Sequence, residues 1–342
     1  MTHMEDKFKK LKTIYDEEGT LALLQKSKKH ILNKYHPKPA VANNSTRNSV
    51  WFTKYLYSMY FDLKYGSGTD VMDEEWDTLI LLDACRFDDF SEVNTIEGDL
   101  QSRISKGVDS NEFIRENFLG NEFADTVYVT ANPHVSILDK SVFHDIITEP
   151  ISDWDFEYQC VKPETVTKFA KKAHQMYPHK RIIVHYMQPH DPPLGPIADD
   201  LRSQHQIGGT DPNSNQSTDM RIMELVADGK IDEKRAHLAY RETLQIVLSE
   251  VTDLLEDVSG KVVISSDHGE MFGEDPYPFL GKLYEHYKNP KTIELCKVPW
   301  LVVENNHDRR EINKKSIDES KQSSSTISSS EIEEQLEALG YK

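Results

Sequence analysis

The stretch Val262-Val263-Ile264-Ser265-Ser266-Asp267-His268-Gly269-Glu270 decides how the rest of the chain is read. A β-branched apolar run lies between Gly260 and Gly269, so it reads as a buried strand. Its C-terminal end carries a carboxylate and an imidazole, and that end is where open α/β sheets bind their ligands. Asp-His pairs a hard oxygen with a borderline nitrogen, which suits Zn²⁺ or Mn²⁺ and tolerates Ca²⁺ where oxygens fill the rest of the shell. Alone, Asp267-His268-Gly269 reads more readily as a turn than as a ligand pair. What other strands bring to the same edge is therefore decisive.

Thr78-Leu79-Ile80-Leu81-Leu82 is an unbroken apolar run, hence a strand buried on both faces, and it ends in Asp83-Ala84-Cys85-Arg86. Val127-Tyr128-Val129 predicts a second strand, ending in Thr130-Ala131-Asn132-Pro133-His134. Arg181 to Tyr186 predicts a third, running into Met187-Gln188-Pro189-His190-Asp191-Pro192-Pro193. Val298 to Val303 is a last strand, placed at the sheet edge because Pro299 has no N–H to give a ladder. Between them, helices are expected from about Glu164 to Tyr177, entered through Pro163, and from Glu233 to Val258, with Leu244, Val247, Leu248, Val251, Leu254 and Leu255 on one face and Gly260 at the stop. Strands alternating with amphipathic helices predict an α/β fold, a mainly parallel (mixed) sheet sandwiched between helices.

With 342 residues, 37% of them apolar, the chain can bury a large core, and one main domain with appendages is expected. The net charge of −18 argues against nucleic-acid binding through a broad basic surface. Met1 to Lys12 is charged where a signal peptide needs an apolar core, and no apolar run is long enough to span a bilayer, so a cytoplasmic location is expected. Cys85, Cys160 and Cys296 form no close-spaced pair and are expected to stay reduced.

Residues 1–70 read as an N-terminal helical arm: a helix over 5–35 stopped by Pro37 and Pro39, then an aromatic-rich helix over 50–65, then a hinge at Gly66-Ser67-Gly68. The second helix is expected to pack on the main domain; peripheral membrane contact through residues 5–65 is the sharper alternative. The catalytic domain is expected over 71–305, with a polar surface excursion at 196–232. A Ser-rich linker at 306–330 is too polar to bury a core, and a short helix at 331–342 opens on the capping-box spacing of Ser330 and Glu333.

Asp83, His190 and Asp267-His268 thus converge on one sheet edge from three strands. Two carboxylates and an imidazole can hold one divalent cation and leave a position open, as metal-assisted hydrolysis requires. These motifs, with Gly281-Lys282-Leu283-Tyr284-Glu285, Val298-Pro299-Trp300-Leu301 and the terminal Leu339-Gly340-Tyr341, resemble the sulfatase-like branch of the alkaline phosphatase superfamily, archaeal sulfatase-like proteins in particular. The ensemble spans roughly residues 76 to 303 in order.

The resemblance implies a metal-dependent hydrolase cleaving a sulfate or phosphate ester, of a sugar or lipid-linked glycan, through a covalent ester on the enzyme. It carries over Asp83, Asp267 and His268 as ligands of one divalent metal ion (Zn, Mn or Ca), with a second ion conceivable. His190 would contact the transferred group and protonate the leaving oxygen. Lys282 and His286 fall where further groups touch substrate or a second metal, and Arg86 would bind substrate or brace the metal carboxylates. The nucleophile belongs at the start of a helix between the first and third strands. Ser110 fits as an N-cap there, with Ser105 the alternative. His185, inside a strand, reads as a core histidine.

Two departures matter. No cysteine has the Pro and Arg that follow a formylglycine precursor, and no Asp with a His four residues later marks a second metal near Asp191. One metal with an unmodified hydroxyl resembles the phosphodiesterase-like and phospholipid-head-group-transferring members more than sulfatases proper. A phosphoryl-head-group transferase is therefore one alternative. A non-catalytic protein binding an anionic glycan or a partner on the same fold is another.

Overall fold

The computed structural model describes residues 44–205, 207, 221–278, 280–304 and 310–312. The expected helix at 5–35, the linker at 306–330 apart from 310–312, and the terminal helix at 331–342 lie outside the described residues. The chain divides into two units, Met1–Leu56 and Tyr57–Lys342, and the second carries the sheet and the candidate site.

The apolar runs do what their patterns require. Strand β1 (Thr78–Asp83) is buried along its whole length. In order, the chain forms α1 (Asn44–Tyr65), β1, α2 (Phe87–Val93), β2 (Asp99–Ile104), α3 (Ser110–Phe118), β3 (Phe123–Thr130) and β4 (Phe143–Ile147). Then come α4 (Pro163–Met176), β5 (Arg181–Pro189), α5 (Pro196–Gln204), α6 (Ile222–Ala227), α7 (Glu233–Asp257), β6 (Lys261–Ser266), the pair β7 (Met271–Glu274) and β8 (Leu283–Glu285), and β9 (Lys297–Glu304). Seven strands make one sheet in the order β2-β9-β6-β1-β5-β3-β4. Neighbouring pairs from β6 through β4 are parallel, and β9 runs antiparallel to both β6 and β2. The expected mixed, mainly parallel sheet between helices is the observed one.

Alternation along each strand separates two cores. Ile80, Leu82, Val262 and Ile264 join Val166 and Ala170 of α4 and Leu244, Val247 and Val251 of α7. Leu79, Leu81, Ile183 and Val263 join Phe113, Ile114 and Phe118 of α3. Each fully buried aliphatic side chain of this kind contributes roughly 1.5–3 kcal/mol.

Two expectations are corrected. Strand β9 is not an edge: β2 pairs with it from Lys297 to Val302 and takes the edge position, with Pro299 opposite Ser102. The half-exposed, alternating β2 carries no long apolar run, so nothing in its sequence announces it. The supposed polar excursion is also partly folded. Ala198 and Leu201 of α5 and Ile222, Met223, Leu225 and Val226 of α6 build a third apolar cluster with Ala236, Ala239 and Tyr240 of α7. Residues 206 and 208–220 of that stretch lie outside the described residues.

Candidate active site

Register places the first two carboxylates. β1 and β6 are parallel neighbours with Leu82 opposite Ser266, so the next residues, Asp83 and Asp267, emerge side by side at the C-terminal edge. The turn after β1 is tight. Ala84 adopts φ 58°, a left-handed conformation that costs a non-glycine residue on the order of 1 kcal/mol. It is held at both ends: its N–H donates to Asp267 Oδ1 at 3.1 Å, and its carbonyl accepts from the Tyr240 hydroxyl at 2.8 Å.

Helix α3 supplies the hydroxyl. Ser110 is not the N-cap; Asp109 is, accepting the Glu112 N–H at 2.7 Å. Asp and Ser compete closely as caps, and the residue one step earlier takes the role here. Glu112 answers by accepting the Val108 N–H at 3.1 Å. Gly107 makes the loop fit, because a Cβ there would stand 2.5 Å from the Phe113 backbone nitrogen. Ser110, now the first helical residue, has its Oγ 2.7 Å from Asp267 Oδ2, 3.2 Å from Asp83 Oδ2 and 3.4 Å from His268 Nε2. Ser105 is used differently. Its Oγ donates to the Asp267 main-chain carbonyl and accepts the Gly107 N–H at 3.1 Å, so it braces the loop.

All of Asp83, Ser110, Asp267 and His268 are fully buried. Asn132, from the loop after β3, donates to Asp83 Oδ2 at 2.8 Å. His268 Nδ1 lies 2.8 Å from the Gly269 carbonyl, which leaves Nε2 facing Asp83 Oδ1 at 3.4 Å and Asp267 Oδ2 at 3.6 Å. Burial opposes charge on His268, but the Asp267 and Asp83 carboxylates outweigh it and raise its pKa to about 10. Asp267 is held far below the usual carboxylate range: burial works against that, and His268, His185 and the Ser110 hydroxyl overcome it.

This donor set fits a divalent cation. Asp83 Oδ1 is buried and accepts no hydrogen bond, and His185 Nε2 is likewise without one. Buried polar atoms left so are costly unless something else satisfies them. Donor atoms of Asp83, His185 and Asp267 lie within 4.8 Å of one another. His185 therefore does more than fill the core. Its Nδ1 meets the Tyr128 hydroxyl at 2.7 Å, and its Nε2 faces Asp267 Oδ2 at 3.5 Å.

A second cluster adjoins the first. Donor atoms of His190, Glu270 and His286 also lie within 4.8 Å of one another. The His286 Nδ1 is 3.2 Å from Glu270 Oε2, and its ring centroid is 4.7 Å from that of His268 and 5.2 Å from that of His190. Burial lifts the Glu270 carboxyl to about 7 and drops the His190 imidazole to about 3. In this arrangement His190 is neutral at pH 7, its Nδ1–H donating to the Asp191 carbonyl at 2.7 Å. His286 is also pushed down, by burial and then by the charge of His268.

Two further expected residues stand outside these clusters. Lys282 pairs with Glu233 at 2.6 Å, its side chain 58% exposed. Arg86 is buried and spends its guanidinium on Asp88 at 2.6 and 2.9 Å, on Glu274, and on the Glu270 carbonyl at 3.2 Å. It braces the turn after β1 against the start of β7. Reasoning from sequence missed Asn132, Glu270 and the inward side of His185. Glu270 had a signal, directly following the Asp-His-Gly motif; Asn132 had its place at a strand end.

No family model and no curated protein matches the chain. It is similar in structure to the C-terminal periplasmic domain of EptC from Escherichia coli in complex with Zn: 13% identity, 70% of this chain and 76% of that one, TM-score 0.45. It is also similar to the corresponding domain of the phosphoethanolamine transferase EptC from Campylobacter jejuni: 18% identity, 67% of this chain and 78% of that one, TM-score 0.41. A third is a Bacteroides thetaiotaomicron protein described as a sulfatase: 13% identity, 70% of this chain and 66% of that one, TM-score 0.37. These three are bacterial, and the archaeal resemblance gains no support from them. Two are described as periplasmic domains, at odds with the expected cytoplasmic placement, which is withdrawn: a charged N-terminus does not determine a compartment. No helix among the described residues is long and apolar enough to cross a membrane. Likeness at this level leaves the chemistry to rest on the geometry of this chain.

Proposed function

We propose that the chain is a metal-dependent enzyme that transfers a phosphoryl or sulfuryl group from an ester to Ser110. One observation carries this reading: the Ser110 hydroxyl lies within hydrogen-bond reach of two buried carboxylates and an imidazole that have the composition of a metal site. Asp83, Asp267 and His268, with His185 Nε2 beside them, would hold a divalent cation, whose charge when bound would lower the pKa of the Ser110 hydroxyl and offset charge on the non-bridging oxygens of the ester. Zn, Mn and Ca all accept this donor set.

The chain's own residues do the rest. Ser110 donates its hydroxyl hydrogen toward Asp267 Oδ2, which orients an Oγ lone pair for attack. Ser–OH and R–O–XO₃ give Ser–O–XO₃ and R–OH, where X is phosphorus or sulfur. Ala84 N–H and His268 N–H, both on Asp267 Oδ1, keep that carboxylate from turning as the bond forms. Asn132 does the same for Asp83. His190 and His286 line the side where the leaving alcohol departs. Release of the group to water makes a hydrolase, and release to an acceptor alcohol makes a transferase.

Metal content is measured on the purified full chain, followed by aryl-phosphate and aryl-sulfate turnover with and without an acceptor alcohol. Ser110→Ala is expected to cut turnover by about 10³-fold or more and to abolish the mass of one transferred group on the peptide bearing residue 110. Turnover in Ser110→Ala close to that of the unaltered chain, or the adduct on Ser105, would refute the proposal.

A further inference from the structure

Tyr240 reaches from α7 into the turn that follows the first carboxylate. Its hydroxyl donates to the Ala84 carbonyl at 2.8 Å and accepts the Arg86 N–H at 3.0 Å, so one side chain spans the turn. Burial lifts that hydroxyl well above its ordinary pKa, and it keeps its proton at neutral pH. The ring is held as firmly as the oxygen. It is buried with Ala236 and Ala239 of α7 and Ile222 and Met223 of α6, and Phe272 of β7 meets it edge-on at 4.8 Å. Farther along, Leu244, Val247 and Val251 seat α7 on the sheet. Tyr240 is therefore a fixed post against which the turn is pinned.

Pinning matters because the turn is strained. Ala84 has φ 58°, a region that disfavours a Cβ and that glycine enters freely. A residue persists there only where its surroundings over-determine it. The Ala84 N–H is fastened to Asp267 Oδ1 at 3.1 Å. On the other side of the residue, one peptide plane carries the Ala84 carbonyl, under the Tyr240 hydroxyl, and the Cys85 N–H, which donates to Ser266 Oγ at 2.9 Å. With Oδ1 taken by Ala84, Asp267 turns Oδ2 toward Ser110 Oγ at 2.7 Å and His185 Nε2 at 3.5 Å. Relaxation of Ala84 would release the carboxylate that faces both.

We propose that Tyr240 is a positioning residue for the metal site: its hydroxyl holds Ala84 in the left-handed turn, and the Ala84 N–H in turn fixes the orientation of Asp267. This rests on the reading of Asp83, Asp267 and His268 as metal ligands. Outer groups that orient ligands are worth about 10- to 100-fold in metal affinity.

Zn²⁺ affinity of the full chain is measured by competition with a chromophoric chelator, with circular dichroism and thermal melting for each variant. Tyr240→Phe keeps the ring and removes only the two hydrogen bonds; it is expected to weaken Zn²⁺ binding at least about tenfold. Adding Ala84→Gly to Tyr240→Phe removes the strain that the hydroxyl opposes, and is expected to restore affinity to within about threefold of the unaltered chain. Leu254→Ala, buried farther along the same helix, is expected to lower the melting temperature and leave Zn²⁺ affinity unchanged. Affinity of Tyr240→Phe within about twofold of the unaltered chain overturns the proposal. So does a folded double variant that stays about tenfold or more weaker, a result that decides the matter even where Tyr240→Phe alone does not fold. Equal losses of affinity in Leu254→Ala and Tyr240→Phe also overturn it, since lost stability would then account for both. An unaltered chain that binds no Zn²⁺ refutes the metal reading itself, and this proposal with it.

Discussion

Asp109→Ala separates the stability of α3 from the placement of its first hydroxyl. Asp109 accepts the Glu112 N–H at 2.7 Å and is 8% exposed, so its removal leaves a largely buried donor without its acceptor. Loss of an N-cap costs about 0.5–2 kcal/mol, and the burial here puts the expected cost in the upper half of that range. For a domain of this size a loss of about 1 kcal/mol lowers the melting temperature by roughly 2–4 °C. The effect on turnover should be larger than stability alone explains. Ser110 is the next residue, and its Oγ depends on a 2.7 Å contact with Asp267 Oδ2. A displacement of about 1 Å in a reacting group can cost 10²-fold. Asp109→Asn and Asp109→Ser each keep an oxygen for the Glu112 N–H and should restore most of the turnover. The assays are thermal melting and aryl-phosphate turnover for the three variants, with metal content checked in each. If Asp109→Asn is as impaired as Asp109→Ala, the residue acts through its charge and the capping argument fails.

Two further outcomes follow from the geometry. His174 has its ring nitrogens 3.5 Å from the Thr78 hydroxyl and 3.4 Å from Arg310; burial first, and the Arg310 charge second, drop its pKa from 6.5 to about 3. The unfolded chain takes up that proton near pH 6.5 and the folded chain does not, so stability is complete above 6.5 and falls as pH drops toward 3. At pH 5 this group alone should cost about 2 kcal/mol. Urea unfolding at pH 7 and pH 5 should show a smaller drop for His174→Gln, and an equal drop in both proteins would contradict the assignment. Lys282→Met should change turnover less than twofold and leave metal content unaltered, because the ammonium is engaged with Glu233 at the surface. A large rise in KM would mean that Lys282 leaves Glu233 to meet the substrate.

Much of the fold was legible because parallel strands covered on both faces must be apolar throughout. Thr78–Leu82, Ile182–Val184 and Val262–Ile264 announce themselves in that way, and their parallel direction follows once helices alternate with them; their order in the sheet is seen only in the structure. Strand β2 was invisible for the converse reason. An antiparallel edge strand half open to water alternates weakly, and Asp99-Leu100-Gln101-Ser102-Arg103-Ile104 reads as easily as a loop. Missing it misplaced β9, since the edge argument from Pro299 holds only if no later partner is found. The helices α5 and α6 were hidden in a polar stretch, because their apolar residues are few and reach significance only against the start of α7.

Candidate metal donors were easier to read than the hydroxyl that faces them, and the difference is geometric. Asp83 and Asp267 sit one residue past the paired positions Leu82 and Ser266, so sheet register alone brings them together. His190 follows β5, and its N–H donates to the Asp83 carbonyl at 3.1 Å, which ties the third strand end to the first. A serine at a helix start has no comparable constraint. Its side chain turns by about 100° for each residue by which the helix is rephased, and the phase depends on which of two adjacent capping residues wins. Had Ser110 been the cap, its Oγ would have accepted a backbone N–H of the first turn. Asp109 takes that bond, and the Ser110 Oγ is released to the two carboxylates. The acid that lies outside the metal cluster is thus what makes the hydroxyl available to it.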